Sequence, residues 1–515
     1  MSDPLQWSSP IRRIGDVNLS SIPNEIYLAI FSYIRTDNAF ANRIFLNLAR
    51  VCRFFCAVTI PRLFEHVRFK SKGVNDANTP QNRADFCRSI QNGDSSAKIM
   101  AQHVKTCTLS NWDMRDEHLG WWMSTFFSLY TRSMRSMTNI QELNIHSSRI
   151  TKDLLKAMAH LPQLESLIIT NCHVADEVNA RHFSKLSSLR LKKICFICLS
   201  VADIIGTNIF GTDEFGYSLD SFNPLFDWLD LKCITEVTSS NWHLFRRLSV
   251  VEGDLRLEKA VFYSLEDTGV FMSILAKAPA LRHLRISELA DADVQVAMSN
   301  SIFLPALATV EVSPELLASL VPGRPVEEVE LRSSSITPGL LRALKSSSKG
   351  IQRMRVSPEI YLEIPFWKHF TDLKTLQITT TTRGADSSMQ DLEHMLSDLA
   401  CKWPTQPPIQ SLVVFLSTVS SEIDLSLDLV QQHGWITDII FPKFPDLRDC
   451  RFFRPVSWFY LEEDSQWKPE IAESYAQDIV NRLLVARYQD YNNCFETLRL
   501  HSIGQTISNF FTADS

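Results

Sequence analysis

Glycine is scarce in this sequence, with 15 among 515 residues. That scarcity argues against phosphate-cradling loops, flexible glycine linkers and folds built on many tight glycine turns. No run of about 18 apolar residues occurs, so no transmembrane helix is predicted. The stretch Met1–Ile14 carries Pro4, Ser8, Ser9, Pro10 and the pair Arg12-Arg13 but no apolar centre, so no secretory signal is expected. The 11 cysteines are scattered through apolar stretches without framework spacing, which predicts reduced thiols in the cytoplasm or nucleus. A net charge of −6 and a pI near 6.1 call for neither nucleic acid nor an anionic membrane.

Signatures of chemistry are missing as well. There is no G-x-S-x-G, no P-loop, no H-E-x-x-H and no G-x-G-x-x-G. Cys195-Phe196-Ile197-Cys198 has the spacing of a zinc knuckle, but no second pair follows and the surrounding run is apolar, so core packing is expected there. Cys172-His173 stands alone in the same way, and the pairs Glu327-Glu328 and Glu462-Glu463 read as solvated charge. The expectation is a non-enzyme without metal or cofactor.

What is present is an ordinary globular composition, 45% hydrophobic and 21% charged, enough for a large core. The N-terminal segment holds a compact helical pattern. Pro23 suits the first turn of a helix and Glu25 its positive end. Ile26, Ile30 and Ile34 recur at i, i+4 and i+8 as one stripe, with Phe31 beside it. A second helix is predicted through Phe45, Leu48, Ala49 and Cys52, with Val51, Phe55 and Val58 on a neighbouring face. Pro61 is expected to stop it, and Leu63, Phe64 and Val67 to begin a further short element. A segment of this size carries more apolar faces than it can bury alone, so it needs another surface.

The run Ile22-Pro23-Asn24-Glu25-Ile26, then Ile30-Phe31 and Ile34, then Val51-Cys52-Arg53-Phe54-Phe55, then Pro61-Arg62-Leu63-Phe64 resembles the F-box, with Ile22 in place of the usual leucine. The resemblance covers about a tenth of the chain. It implies a three-helix module whose exposed apolar face docks on a Skp-type adaptor, which in turn binds a cullin. The positions it implies for adaptor binding are Ile22, Pro23, Ile26, Ile30, Phe31, Ile34, Leu48, Val51, Cys52, Phe54, Leu63 and Phe64. The other reading of the same stripe is a helical cap that buries it internally.

Beyond about residue 100 one pattern returns, apolar-x-x-apolar-x-apolar. It is found at Val104/Cys107/Leu109, Ile140/Leu143/Ile145, Leu164/Leu167/Ile169, Leu186/Leu189/Leu191, Phe245/Leu248/Val250, Leu281/Leu284/Ile286, Leu307/Val310/Val312, Val326/Val329/Leu331, Ile351/Met354/Val356 and Leu373/Leu376/Ile378. Looser copies follow at Ile409, Leu447 and Phe495. Residues 142–158, ELNIHSSRITKDLLKAM, align without a gap on 328–344, EVELRSSSITPGLLRAL. Each reads as a strand, a Ser-Ser turn, a Thr in N-cap position (Thr151, Thr337) and a Leu-Leu helix. Cys172 and Val174 fall where a leucine-rich consensus places a small polar residue and an aliphatic one. The chain therefore resembles the leucine-rich repeat family in its ribonuclease-inhibitor-like form, and as a whole the F-box/leucine-rich-repeat proteins of fungal type.

The predicted fold class is α/β, a three-helix F-box followed by a curved leucine-rich-repeat solenoid. Expected boundaries are 1–17 disordered tail, 18–70 F-box, 71–99 linker or first cap, and 100–515 repeat domain. Loops or atypical units are expected at 71–99, 201–224, 383–408, 418–440 and 453–468, with a helix over Pro469–Tyr488. Strand positions alternating with the apolar ones should face outward and meet a target protein: Glu142, Asn144, His146, His283, Arg285, Glu311, Glu328, Glu330, Arg353, Arg355, Thr375 and Gln377. The function so implied is target recognition in an SCF-type cullin–RING ubiquitin ligase. The alternative is a repeat scaffold unrelated to ubiquitin.

Overall fold

The structure, a computed structural model, describes residues 12–14, 17–19, 22–32, 39–71, 79–112, 120–198, 219–265, 267–289, 304–331, 336–357, 360–361, 366–380, 389–402, 408–416, 429–453, 456–463 and 465–471. The chain divides into two compact units, Met1–Pro279 and Ala280–Ser515.

The first unit opens with β1 (Arg12–Ile14) paired antiparallel to β2 (Val17–Leu19), where a disordered tail was expected over 1–17. Three helices follow: α1 (Asn24–Ser32), α2 (Ala39–Ala49) and α3 (Arg53–Glu65). Pro61 does not end a helix but lies inside α3. The break comes earlier, at Cys52, whose extended backbone and side chain cap the new helix by accepting from the Phe55 N–H at 3.4 Å. A proline inside a helix costs about 3 kcal/mol. Burial of Phe54 and Val58 and the 5.2 Å ring contact of Phe64 with Phe86 offset it.

Glu65 ends α3, and β3 (His66–Lys70) begins at the next residue. The helical module thus runs into the first strand of a parallel sheet without a linker. The segment 71–99 carries α4 (Thr79–Gln91) and most of α5 (Ser95–Ala101). Its buried helix residues are Ala84, Cys87, Ile90 and Ala97, of which only Ile90 is a large aliphatic, so the helical period was hidden. The sheet continues through β4 (Thr106–Ser110), β5 (Glu142–His146), β7 (Ser166–Thr170), β9 (Lys193–Ile197), β10 (Glu236–Ser239) and β11 (Lys259–Leu265), all parallel. A small second sheet pairs β6 (Arg149–Ile150) with β8 (His173–Val174). Inward residues stack in register as Cys107, Leu143, Leu167, Ile194, Val237 and Ala260. Nearly all are out of contact with solvent.

Two of the expected repeats are misplaced. Leu186, Leu189 and Leu191 precede strand β9, whose inward residues are Ile194 and Phe196. Phe245, Leu248 and Val250 belong to the helix Trp242–Ser249 and its end, where i, i+3 spacing imitates the strand motif, and Val250 is exposed. Cys195 is not core packing either; alternation turns it to the outward face, half-buried.

The second unit repeats the design with β12 (His283–Leu289), β13 (Thr309–Glu311), β14 (Glu328–Glu330), β15 (Arg353–Val356), β16 (Thr375–Thr380), β17 (Ser411–Leu416) and β18 (Asp449–Phe453), parallel and in register. The helix Met389–Lys402 occupies most of the stretch expected as a loop at 383–408. Within 418–440, the helix Leu429–Gly434 passes into a π-helical turn, Trp435–Ile440. The aromatic stretch 453–468 is an antiparallel hairpin of β19 (Val456–Leu461) and β20 (Gln466–Ile471) that adds to β18. Trp458 and Trp467 point inward and are buried. Pro469 is in β20 rather than starting a helix, and residues beyond 471 lie outside the described ones.

Neighbouring repeats share a main-chain device. At most strand starts the two N–H groups donate to one carbonyl of the preceding repeat. Gln141 and Glu142 use the Lys105 carbonyl (2.8 and 3.0 Å), and Lys192 and Lys193 that of Glu165. In the second unit Glu327 and Glu328 use Ala308, and Gln352 and Arg353 use Glu327. At the other strand end Asn111, Ser147 and Asn171 take left-handed backbone, with φ of 62°, 45° and 52°. Their N–H groups reach the next repeat at His146, Thr170 and Ile197. Asparagine tolerates this conformation, which lets the chain turn without glycine.

Candidate functional site

Two surfaces stand out. The first is α1 with the start of α3. Tyr27, Leu28 and Phe31 turn to one side of α1 and pack with Phe54, Phe55, Val58, Leu48 and Cys52. Tyr27 meets Phe55 edge-on at 5.1 Å, as does Phe31 at 5.4 Å. Helical spacing then leaves Ile26 and Ile30 on the other side, each 50% exposed. Leu46 and Val51 are exposed in the same module at 47% and 65%. The stripe is therefore not buried by a cap among the described residues.

Twelve adaptor-facing positions were expected, and the structure separates them. Pro23, Ile26, Ile30 and Val51 are exposed; Ile22, Leu48, Cys52, Leu63 and Phe64 are half-buried. Phe31 and Phe54 belong to the module's own core and present nothing to a partner, because the three helices close over them. Ile34 lies outside the described residues. Leu46 escaped the sequence reading. It is one turn before Arg50 and lacks an i+4 apolar partner.

The second surface is the outward side of the strands. In the first unit Asn144 donates to Glu142 at 2.8 Å, and burial holds the His146 imidazole below its usual value. Thr151 caps its helix by accepting from Leu154 at 3.3 Å, and Thr337 in the second unit does the same for Leu340 at 3.2 Å, as the aligned segments predict. Cys172 is buried, and its thiol shares its proton between the carbonyls of Thr170 (3.3 Å) and Ile145 (3.4 Å), so it bonds the turning backbone.

In the second unit the outward residues form an ion-paired ladder. Strand register lines up Arg285, Glu311, Glu330 and Arg355 on four adjacent strands, with His283, Thr309, Glu328 and Arg353 beside them. Arg285 Nε lies 3.3 Å from Glu311, Arg353 Nε 2.9 Å from Glu328, and Arg355 contacts Glu330 and lies 3.7 Å from Glu311. Glu311, expected to face solvent, is buried at 7% exposure because the flanking arginines cover it. Burial first, then the Glu330 carboxylate beside it, push its carboxyl above the ordinary range against the pull of Arg285 and Arg355. Thr375 and Gln377 continue the face half-buried.

Among the described residues no group of three His, Cys, Asp or Glu is placed to hold a metal ion, and no helix is long and apolar enough to cross a membrane.

No family model matches the chain, and no curated protein matches it. Among solved structures, an internalin from Listeria monocytogenes is similar over 67% of this chain and 93% of that one, at 15% identity and a TM-score of 0.28. A superposition that loose carries no argument, and the repeating strand–helix solenoid is read from the register and hydrogen bonds above.

Proposed function

We propose that this chain is a substrate receptor of F-box type in an SCF-like cullin–RING ubiquitin ligase. The exposed side of α1 takes a Skp-type adaptor, which carries the cullin, and the strand face takes a target protein. The chain performs no chemistry itself and works in the cytoplasm or nucleus. The observation that carries the reading is the division of α1. Its aromatic side closes the module's core, while Ile26 and Ile30 stay half-exposed directly after the Ile22-Pro23-Asn24-Glu25 helix start. An apolar pair held on a helix with no described residue over it is the kind of surface a partner covers.

Co-expression with a Skp-type adaptor tests the proposal. A one-to-one complex is expected, and Ile26→Asp with Ile30→Asp is expected to abolish it while leaving the melting temperature nearly unchanged, because both side chains are half in water already. A chain that ignores the adaptor, or a double variant that still binds it, overturns the reading. The strand face alone suits a scaffold outside the ubiquitin system, and that second reading would then stand.

A further inference from the structure

We infer that the outward strand face of the second unit binds an acidic, extended segment of its target, held by the guanidinium groups of Arg285, Arg353 and Arg355. This deepens the receptor reading and rests on it for the existence of a target. The geometry that points there is a difference in depth. The side chains of Arg285, Arg353 and Arg355 are 35%, 45% and 34% exposed, whereas those of Glu311 and Glu330 are 9% and 13% exposed. The ladder is neutral on paper, and Glu328 beside Arg353 is itself 32% exposed, yet at Arg285 and Arg355 what it shows to solvent is cationic, with the carboxylates of Glu311 and Glu330 beneath as supports. A positively charged ligand would have to pass the arginines to reach them. An anion meets the arginines first.

Each guanidinium has five N–H donors and spends few of them here. The Nε group of Arg285 lies 3.3 Å from Glu311 and Arg355 contacts Glu330, so the outer edge of each guanidinium is the part turned to solvent. The buried carboxylates also fix where the guanidiniums sit, so little side-chain freedom remains to be lost on binding. Arg285 and Arg355 stand three strand intervals apart, about 14 Å, which matches about four residues of extended chain crossing the strands. An acidic segment with carboxylates at i and i+4 therefore reaches both. The groups facing Glu311 are Arg285 from β12, Glu330 from β14 and Arg355 from β15. When a ligand anion draws on those arginines, the neutral form of Glu311 is favoured, so removing its charge should help binding.

The test uses the full chain and short fluorescent peptides: one of alternating glutamate and glycine, its lysine counterpart, its glutamine counterpart, and an oligothymidylate of similar length. The glutamate peptide is expected to bind, more weakly as salt rises. Arg353→Gln with Arg355→Gln should weaken it about tenfold or more, and Arg285→Gln alone should weaken it measurably. Glu311→Gln should tighten it, an effect a purely structural role for the ladder would not produce. Equal binding of the glutamine peptide, preference for the lysine peptide, or unchanged binding by folded arginine variants overturns the inference. Oligothymidylate binding as tightly as the glutamate peptide overturns the assignment to a protein target. Adaptor capture through α1 is scored on the same preparations. Peptide failure with capture intact sinks only this inference, and capture failure with peptide binding intact sinks only the reading of α1.

Discussion

The outward faces of the two units obey one register and carry opposite chemistry. In the first, the row Thr108, Asn144, Ile168, Cys195, Thr238 and Val261 is built of hydroxyl, amide and small apolar groups. In the second, the equivalent row begins Arg285, Glu311, Glu330, Arg355. The inward rows of both are aliphatic and almost fully buried. The backbone pattern thus depends on every second residue, and the residues between are free to be anything the face is for. Unit one keeps its charges on the row beside this one, where Lys193 pairs with Glu236 at 3.4 Å, and unit two carries them on both rows and joins them into a ladder.

The largest expected effect breaks the inward row. Met354→Asp places an unpaired charge where 1% of the residue sees solvent, and should lower stability by about 4 kcal/mol or more, read from denaturant melts. Leu143→Asp in unit one should be as severe, since both rows do the same work. Next comes the helical module, where Phe31→Ala should cost about 3–5 kcal/mol and Ile30→Ala far less.

The outward rows should then part company. Arg355→Gln leaves Glu330 and Glu311 buried beside each other with one cation fewer, a loss of about 1–3 kcal/mol by chemical denaturation. Arg353→Gln, a more exposed pair with Glu328, should cost about 0.5 kcal/mol or less, and Thr108→Val in unit one about as little. Equal losses for the two arginines would mean that burial of the carboxylates does not matter.

The smallest effects are in pH dependence, and their signs differ. His146 has its folded value lowered, so the unfolded chain takes up its proton first. Its contribution to stability falls as pH drops through the ordinary histidine range, and His146→Gln should flatten melts there. Glu311 has its folded value raised, so the folded chain holds the proton more tightly. Stability from this group is present below the ordinary carboxylate range and fades as pH rises from that range through the raised folded value. Glu311→Gln should therefore match or exceed wild type at neutral pH and lose the acid-side gain.

Much of this was legible because the strand motif is strict where it matters. Leu143/Ile145, Leu167/Ile169 and Met354/Val356 fall on β5, β7 and β15 as inward pairs, and the Thr151 and Thr337 caps follow from one alignment. Where sequence reading failed, a local signal had a second meaning. Pro61 is a helix breaker only if nothing outweighs it; Phe54, Val58 and Phe64 do. Phe245 and Leu248 satisfy strand and helix spacing alike. The aromatic residues around Trp458 suggested a loop, because antiparallel strands are foreign to the repeat. Among the residues proposed for the adaptor, the motif named Phe31 and Phe54 together with Ile26 and Ile30. Only packing distinguishes those that build the module from those it displays.

The paired N–H groups that share one carbonyl of the previous repeat have a consequence for descent. Donors and acceptor are all main chain, so Lys105, Glu165, Ala308 and Glu327 serve equally well as the accepting residue. The rule constrains by prohibition: proline is barred from the two donor positions, and nearly everything else is allowed. A repeat held in this way can lose its consensus residue by residue while its geometry is inherited intact. Two copies of the unit then remain recognisable to each other where side chains still have local work to do, as Thr151 and Thr337 do in capping a helix.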